Sequence, residues 1–157
     1  MNARQVELVQ ESFAQVQKIS STAASLFYGK LFELDPTVKP LFRGDLIEQG
    51  QKLMTMLGVA VANLTKPDVV LPALKQLGER HAGYGVADAH YATVGTALLW
   101  TLEQGLGSAF TTEVRAAWTD VYTLVADTMK AAAQHARTVE GQLGAEPVDG
   151  ASKSGLH

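Results

Sequence analysis

A chain of 157 residues with 46% hydrophobic and 18% charged residues has the composition of one folded domain with a substantial core, not of a disordered chain. Its formal charge of -3 and its lack of a long basic patch speak against electrostatic nucleic-acid binding. It contains no cysteine, which removes disulfides, thiolate ligands, iron–sulfur clusters and cysteine nucleophiles, and fits a reducing compartment.

Met1 to Glu7 is polar and lacks the apolar centre of a signal peptide. Val6, Val9, Phe13 and Val16 then step by three and four, so they share one helix face. A second helix is predicted from about Ser21 to Leu34, with Phe27, Leu31 and Leu34 on one face and Tyr28 beside them. Asp35-Pro36 ends it, because the residue before proline is pushed out of the helical region. Pro36 and Pro40 bracket a short tight segment leading to Phe42, and Arg43 to Glu48 reads as a loop turning at Gly44-Asp45.

A long helix follows to about Leu64, carrying Leu53, Leu57, Val61 and Leu64 on one side. Gly58 within it costs about 1 kcal/mol against alanine, which close approach of another helix would offset. Leu53 to Leu64 is the longest strongly apolar stretch and is too short to span a bilayer. After the break at Lys66-Pro67-Asp68, Val70, Leu74, Leu77 and His81 are spaced by four, three and four, which places His81 on an inward stripe. Gly83 and Gly85 end that helix. One further long helix carries Tyr91, Val94, Leu98 and Leu102. Another, opened by Thr111-Thr112-Glu113, carries Val114, Trp118, Val121, Val125 and Met129. No strand pattern competes, so the fold class is all-α. Beyond Arg137 the chain turns to Gly, Glu, Asp, Ser and Lys, which predicts a domain over 1–137 and a flexible tail over 138–157.

Of the histidines His81, His90, His135 and His157, only His81 points into the core by periodicity. On spacing alone, such a residue is either a hydrogen-bonded core histidine or a ligand. There is no His-Glu-x-x-His, no histidine pair on one helix face and no carboxylate cluster near His81, so a zinc or di-iron site lacks ligands. A nucleophile elbow and a glycine-rich phosphate loop are also missing. A cofactor needing one protein ligand and an apolar slot remains open, and haem b meets that requirement.

The ordered segments LFYGKLFELDPTVKPLF, QGQKLMTML, LGERHAGYGV, HYATVGTALLWTL, LG-x-x-FT and AW-x-x-x-Y resemble bacterial single-domain haemoglobins and the globin domains of flavohaemoglobins. The resemblance runs over about residues 3 to 135. It implies a globin fold of six to eight helices in a three-over-three sandwich around haem b. It makes His81 the proximal iron ligand and Phe42 the aromatic stacked on the porphyrin. Tyr28 and Gln49 match the distal pair, with Leu53 one turn beyond Gln49. Lys52 matches a position that reaches a haem propionate, Tyr91 a tyrosine near the proximal side, and Val86 and Val94 apolar haem contacts. A Tyr28 hydroxyl can donate to a partly negative diatomic ligand, and Gln49 can donate or orient a water. One departure is plain: the glutamate that flavohaemoglobins carry in the last helix falls near Ala133 here, followed by Gln134, and neither is a carboxylate.

The implied function is reversible binding of oxygen, with NO and CO as further ligands, for transport, storage or sensing. The alternative is a nitric oxide dioxygenase converting NO to nitrate with an external reductase. A haem-free sensor module is disfavoured by the presence of both His81 and Phe42. The expected setting is cytoplasmic, as a monomer or homodimer, with no nucleic-acid partner and no membrane span.

Overall fold

Asn2 opens the first helix, α1 (Ala3–Gln17): its side chain accepts from the Gln5 backbone at 2.8 Å while the Gln5 side chain accepts from the Asn2 backbone at 3.1 Å. The computed structural model describes residues 2–42 and 44–142, with side chains to Thr138. The α1 stripe of Val6, Val9, Phe13 and Val16 is buried, as its spacing requires. In α2 (Ser20–Leu34), Phe27, Tyr28 and Leu31 are buried, but Leu34 is 43% exposed. It shares their stripe by spacing and sits at the helix end, where the Asp35-Pro36 break turns the chain away.

Asp35 starts a single 3-10 segment, Pro36–Leu41, by accepting the Thr37 backbone N–H at 3.0 Å. Asp45 does the same for α3 (Leu46–Ala62), accepting from Ile47 N at 2.9 Å. The expected loop therefore stops at Asp45, and Leu46 to Glu48 form the first turn of α3. The helix that approaches Gly58 is α1: a Cβ built there would lie 3.2 Å from Gln17 Nε2 and 3.6 Å from the Phe13 ring.

Pro67 takes the first position of α4 (Pro67–Gly83), where its missing N–H costs nothing. α5 (Asp88–Leu106) and a short 3-10 turn at Gly107–Ala109 lead to α6 (Thr112–Gln142). α6 continues past Arg137, so the segment expected to fray from 138 begins as helix. The rest of the predicted tail, 143–157, lies outside the described residues.

α1, α3 and α4 lie across α2, α5 and α6. α4 packs chiefly on α6, and α3 on α2 and α1, while no extended contact joins α3 to α4. The core follows that division. Its larger buried cluster gathers Phe13, Phe27, Tyr28, Leu31 and Trp118, with Phe42, Leu53 and Val94 packed against it. A smaller one gathers Val70, Leu74, Tyr91, Ala126 and Met129, joined by Leu77 and Val86. Trp118 ties α6 to α1 through its indole N–H, which donates to Ser12 Oγ at 2.8 Å. Among the described residues, no helix is long and apolar enough to cross a membrane.

The α4–α6 crossing is the closest in the fold. A Cβ on Gly78 would fall on the Met129 backbone, 2.7 Å from its Cα and against its carbonyl oxygen. Gly78→Ala should therefore destabilise the protein by about 1–3 kcal/mol, although alanine is the better helix former by about 1 kcal/mol. The control is Gly83→Ala, where a Cβ meets nothing within 4 Å. Urea unfolding of both variants checks this; equal midpoints would mean that α4 does not rest on the α6 backbone.

Candidate functional site

The end of α4 is built to hold His81. Tyr84 caps the helix and Gly85 follows at φ +87°, a left-handed conformation that glycine adopts without strain. That turn lets Gly85 N–H donate to Ala82 O and Val86 N–H donate to His81 O, both at 3.1 Å. Val86 is thus fastened beside His81, and the helix stops just beyond it. The structure sharpens the expectation about this helix end: Gly83 is the last helical residue, and Gly85 makes the turn. The imidazole is half-buried, and its Nδ1 lies 2.9 Å from the Leu77 carbonyl one turn back. A carbonyl only accepts, so Nδ1 is the donor in this contact, and in the neutral imidazole the lone pair then lies on Nε2.

On the other side, Gly50 seats α3 on α2. A Cβ there would lie 2.9 Å from Ala24 Cβ and 3.7 Å from the Tyr28 ring. This crossing brings Tyr28 against the first turns of α3, where Gln49 is 6% exposed. Tyr28 sits in an aromatic cluster: its ring meets Phe27 and Phe42 edge-on at 5.4 Å each and stacks on Phe32 at 6.0 Å. Burial pushes its phenol up to about 12, so it is a hydrogen-bond donor at neutral pH. Leu53 and Val94 pack on the same cluster. Lys52 lies on the exposed flank of α3, 3.7 Å from Glu48.

The sequence-predicted residues thus fall on two sides of the division between α3 and α4. Tyr28, Phe42, Leu53 and Val94 belong to the larger cluster and Gln49 to the α3 turn beside it. Val86 and Tyr91 belong to the smaller cluster, and His81 to the α4 turn at its edge. The two clusters share Tyr122 and Val125, and Gly85 lies near Leu41, the neighbour of Phe42.

Tyr91 carries an unmet demand. Its hydroxyl is buried and makes no hydrogen bond among the described residues. The Tyr122 hydroxyl donates to the Tyr91 carbonyl at 2.7 Å, not to the phenol. Ala133 is buried in α6 at the place where the resemblance would put a carboxylate. Burial raises the Tyr91 phenol above its ordinary range.

Three functional details escaped the sequence. His90 is an end-cap of α5: its Nδ1 accepts the Ala87 backbone N–H at 2.9 Å, and its place three residues after Ala87 was the available signal. Gly50 and Gly78 are seats for neighbouring helices, which no local pattern distinguishes from ordinary helix glycines. His135 is exposed, and His157 lies outside the described residues.

Comparison with known proteins bears on the family and the fold. The Globin family model matches residues 25–129. The flavohemoprotein of Xylella fastidiosa strain Temecula1 is 30% identical over 128 residues, 80% of this chain and 32% of the relative. The chain thus spans about a third of that relative's length. Danio rerio neuroglobin is 31% identical over 136 residues, 78% of this chain and 86% of the relative. Among solved structures, an engineered carbene transferase from Rhodothermus marinus, provisionally assigned as a nitric oxide dioxygenase, superposes with a TM-score of 0.77. It is 24% identical, covering 92% of this chain and 99% of its own. At that identity the likeness speaks for the fold.

The buried Tyr28 phenol makes stability depend on alkaline pH. Its proton leaves near pH 12 in the folded chain and near about 10 when unfolded. Stability is complete below the unfolded value and is lost as pH rises toward the folded one. Tyr28→Phe should lose less stability between about pH 9 and about pH 11.5 than the parent, read from urea midpoints. Identical losses would place the phenol in water.

Proposed function

This chain belongs to the globin family, and from that premise we propose that it holds haem b through His81 and reversibly binds a diatomic gas, oxygen first, on the face opposite that histidine. The observation that carries the reading is the division of the core: an imidazole with its lone pair on Nε2 at the edge of one apolar cluster, a buried phenol in the other, and no helix packing between α3 and α4. Haem b, when bound, supplies the iron that takes the gas.

The chain's own residues then have defined tasks. Leu77 O orients the His81 ring through Nδ1, and His81 would hold the haem iron through Nε2 with the ordinary basicity that a carbonyl partner leaves it. Phe42, Leu53, Val86 and Val94 supply apolar contact and exclude water. Tyr28 donates a hydrogen bond to the gas, and Gln49 donates or orients a water beside it. Lys52 is placed to exchange its exposed pairing with Glu48 for a haem propionate. A cytoplasmic setting accords with the lack of cysteine.

A second reading, nitric oxide dioxygenation with an external reductase, is supported by the Tyr28–Gln49 pair and by the flavohemoprotein relatives. The departure at Ala133, where the resemblance would place a carboxylate, keeps it second.

His81→Gly should lose haem retention, and added imidazole should restore a Soret band by standing in for the side chain. Wild-type spectra in the variant without imidazole would remove His81 as the ligand. Tyr28→Phe should speed oxygen dissociation several-fold to about 100-fold, the worth of one hydrogen bond to a partly charged acceptor. An unchanged rate in stopped-flow displacement would mean that the hydroxyl does not reach the gas. Mixing the oxygen-loaded protein with NO, then following turnover with a reductase, separates the two functions.

A further inference from the structure

The turn that follows His81 hangs from two consecutive amides. Val86 N–H donates back to the His81 carbonyl at 3.1 Å, and Ala87 N–H donates forward to His90 Nδ1 at 2.9 Å. The first bond ties the turn to α4, and the second ties it to the first turn of α5. Ala87 has no polar side chain of its own, so the side-chain share of this cap falls to His90.

That bond constrains the charge of the ring. A backbone N–H only donates, so Nδ1 must present a lone pair, which it does in the neutral ring with its proton on Nε2. A second proton turns Nδ1 into a donor. Two donors then face each other, and the bond is lost. Imidazole is the side chain whose charge ordinarily changes between about pH 5 and about pH 8. A glutamine in that place would cap Ala87 at every pH in that range.

The charged ring has a partner at hand. The turn rests on the 3-10 segment, where a Cβ on Gly85 would lie 3.9 Å from Leu41 Cδ2, and Asp35 opens that same segment. The Asp35 carboxylate is held below its ordinary range first by the Thr37 hydroxyl and also by the positive charge of His90, so the two side chains lie within each other's field. On its own helix His90 has Asp88 two residues back, which Arg137 of α6 already engages at 3.6 Å. Asp35 is the carboxylate left for an imidazolium.

We propose that His90 is a pH-sensitive clasp on the turn after His81: neutral, it holds Ala87 to α5; charged, it releases Ala87 and turns to Asp35. In acid the turn then hangs from His81 alone, and α5 loses a cap at the end that carries Tyr91 and Val94. The clasp itself needs no haem. Its effect on a bound gas rests on the reading proposed above, because the turn hangs from the proposed iron ligand.

The test follows the Ala87 amide by NMR in the haem-loaded carbonyl form, from about pH 7.5 to about pH 5. Its hydrogen-exchange protection, corrected for the intrinsic pH dependence of exchange, should fall about fivefold toward acid, the worth of one cap. The Val86 amide should keep its protection. His90→Gln keeps an acceptor and takes no charge, so Ala87 should stay protected throughout. His90→Ala should leave it unprotected throughout. Asp35→Asn keeps an acceptor for Thr37 and removes the charge, so release should need stronger acid; release at the same pH would overturn Asp35 as the destination. In the ferrous gas-free protein, the iron–histidine stretching frequency should move over the same pH range as the Ala87 amide and stay constant in His90→Gln. A frequency that ignores pH would overturn the effect on His81. Wild-type protection that ignores pH, or a His90→Gln variant that loses it in acid like the parent, would overturn the clasp. Failure of the haem reading is a different result: no Soret band forms, and the Ala87 amide, read in the same way without haem, still decides.

Discussion

The seating of Gly78 on the Met129 backbone is the constraint on which the rest depends. Two helices approach that closely only where one presents no side chain, so α4 is committed to α6 at a single point. His81 lies three residues further along the same helix, and the left-handed turn at Gly85 stops the chain just beyond it. The imidazole is thus positioned from both directions. Gly50 against Ala24 performs the corresponding service for α3 and α2. With α4 drawn chiefly to α6 and α3 chiefly to α2 and α1, the apolar core falls into two clusters that Tyr122 and Val125 join.

The polar atoms around the site separate into satisfied and unsatisfied groups, and the separation carries chemical meaning. Thr101, Trp118 and Tyr122 lie along an apolar cavity walled by Phe27, Leu57, Leu98 and Leu102, yet each spends its hydrogen bond on a protein oxygen, so the cavity stays apolar. Tyr91 is the exception: its buried hydroxyl makes no hydrogen bond among the described residues. Tyr28 stands between the extremes: its ring is fixed by three aromatic neighbours, and burial keeps its proton on.

Much of this was legible in the chain. The stripes Val6-Val9-Phe13-Val16 and Val70-Leu74-Leu77-His81 gave helix faces directly, because a period of 3.6 residues is a local property. Asp35-Pro36 and Gly85 marked the right breaks for the right reason, since proline and left-handed glycine restrict backbone angles without help from distant residues. The differences are also local in origin. Gly44-Asp45 reads as a turn, yet Asp45 caps Ile47 N–H and starts α3, so Leu46 to Glu48 are helical. Leu34 shares the stripe of Phe27 and Leu31 but lies at the helix end, where it is exposed.

By itself, then, the sequence determined an all-α domain, an inward His81, an apolar stripe on each helix and the family to which the ordered motifs belong. Backbone periodicity, turn chemistry and motif order are written in neighbouring residues. Only the tertiary structure decided which glycines are seats, that Tyr28 meets Phe42 edge-on, that His81 is oriented by Leu77 O, and that the Tyr122 hydroxyl reaches the Tyr91 carbonyl. Each of these except the Leu77 bond joins residues far apart in the chain. Close packing has no sequence period: it exists only once the helices have chosen their partners.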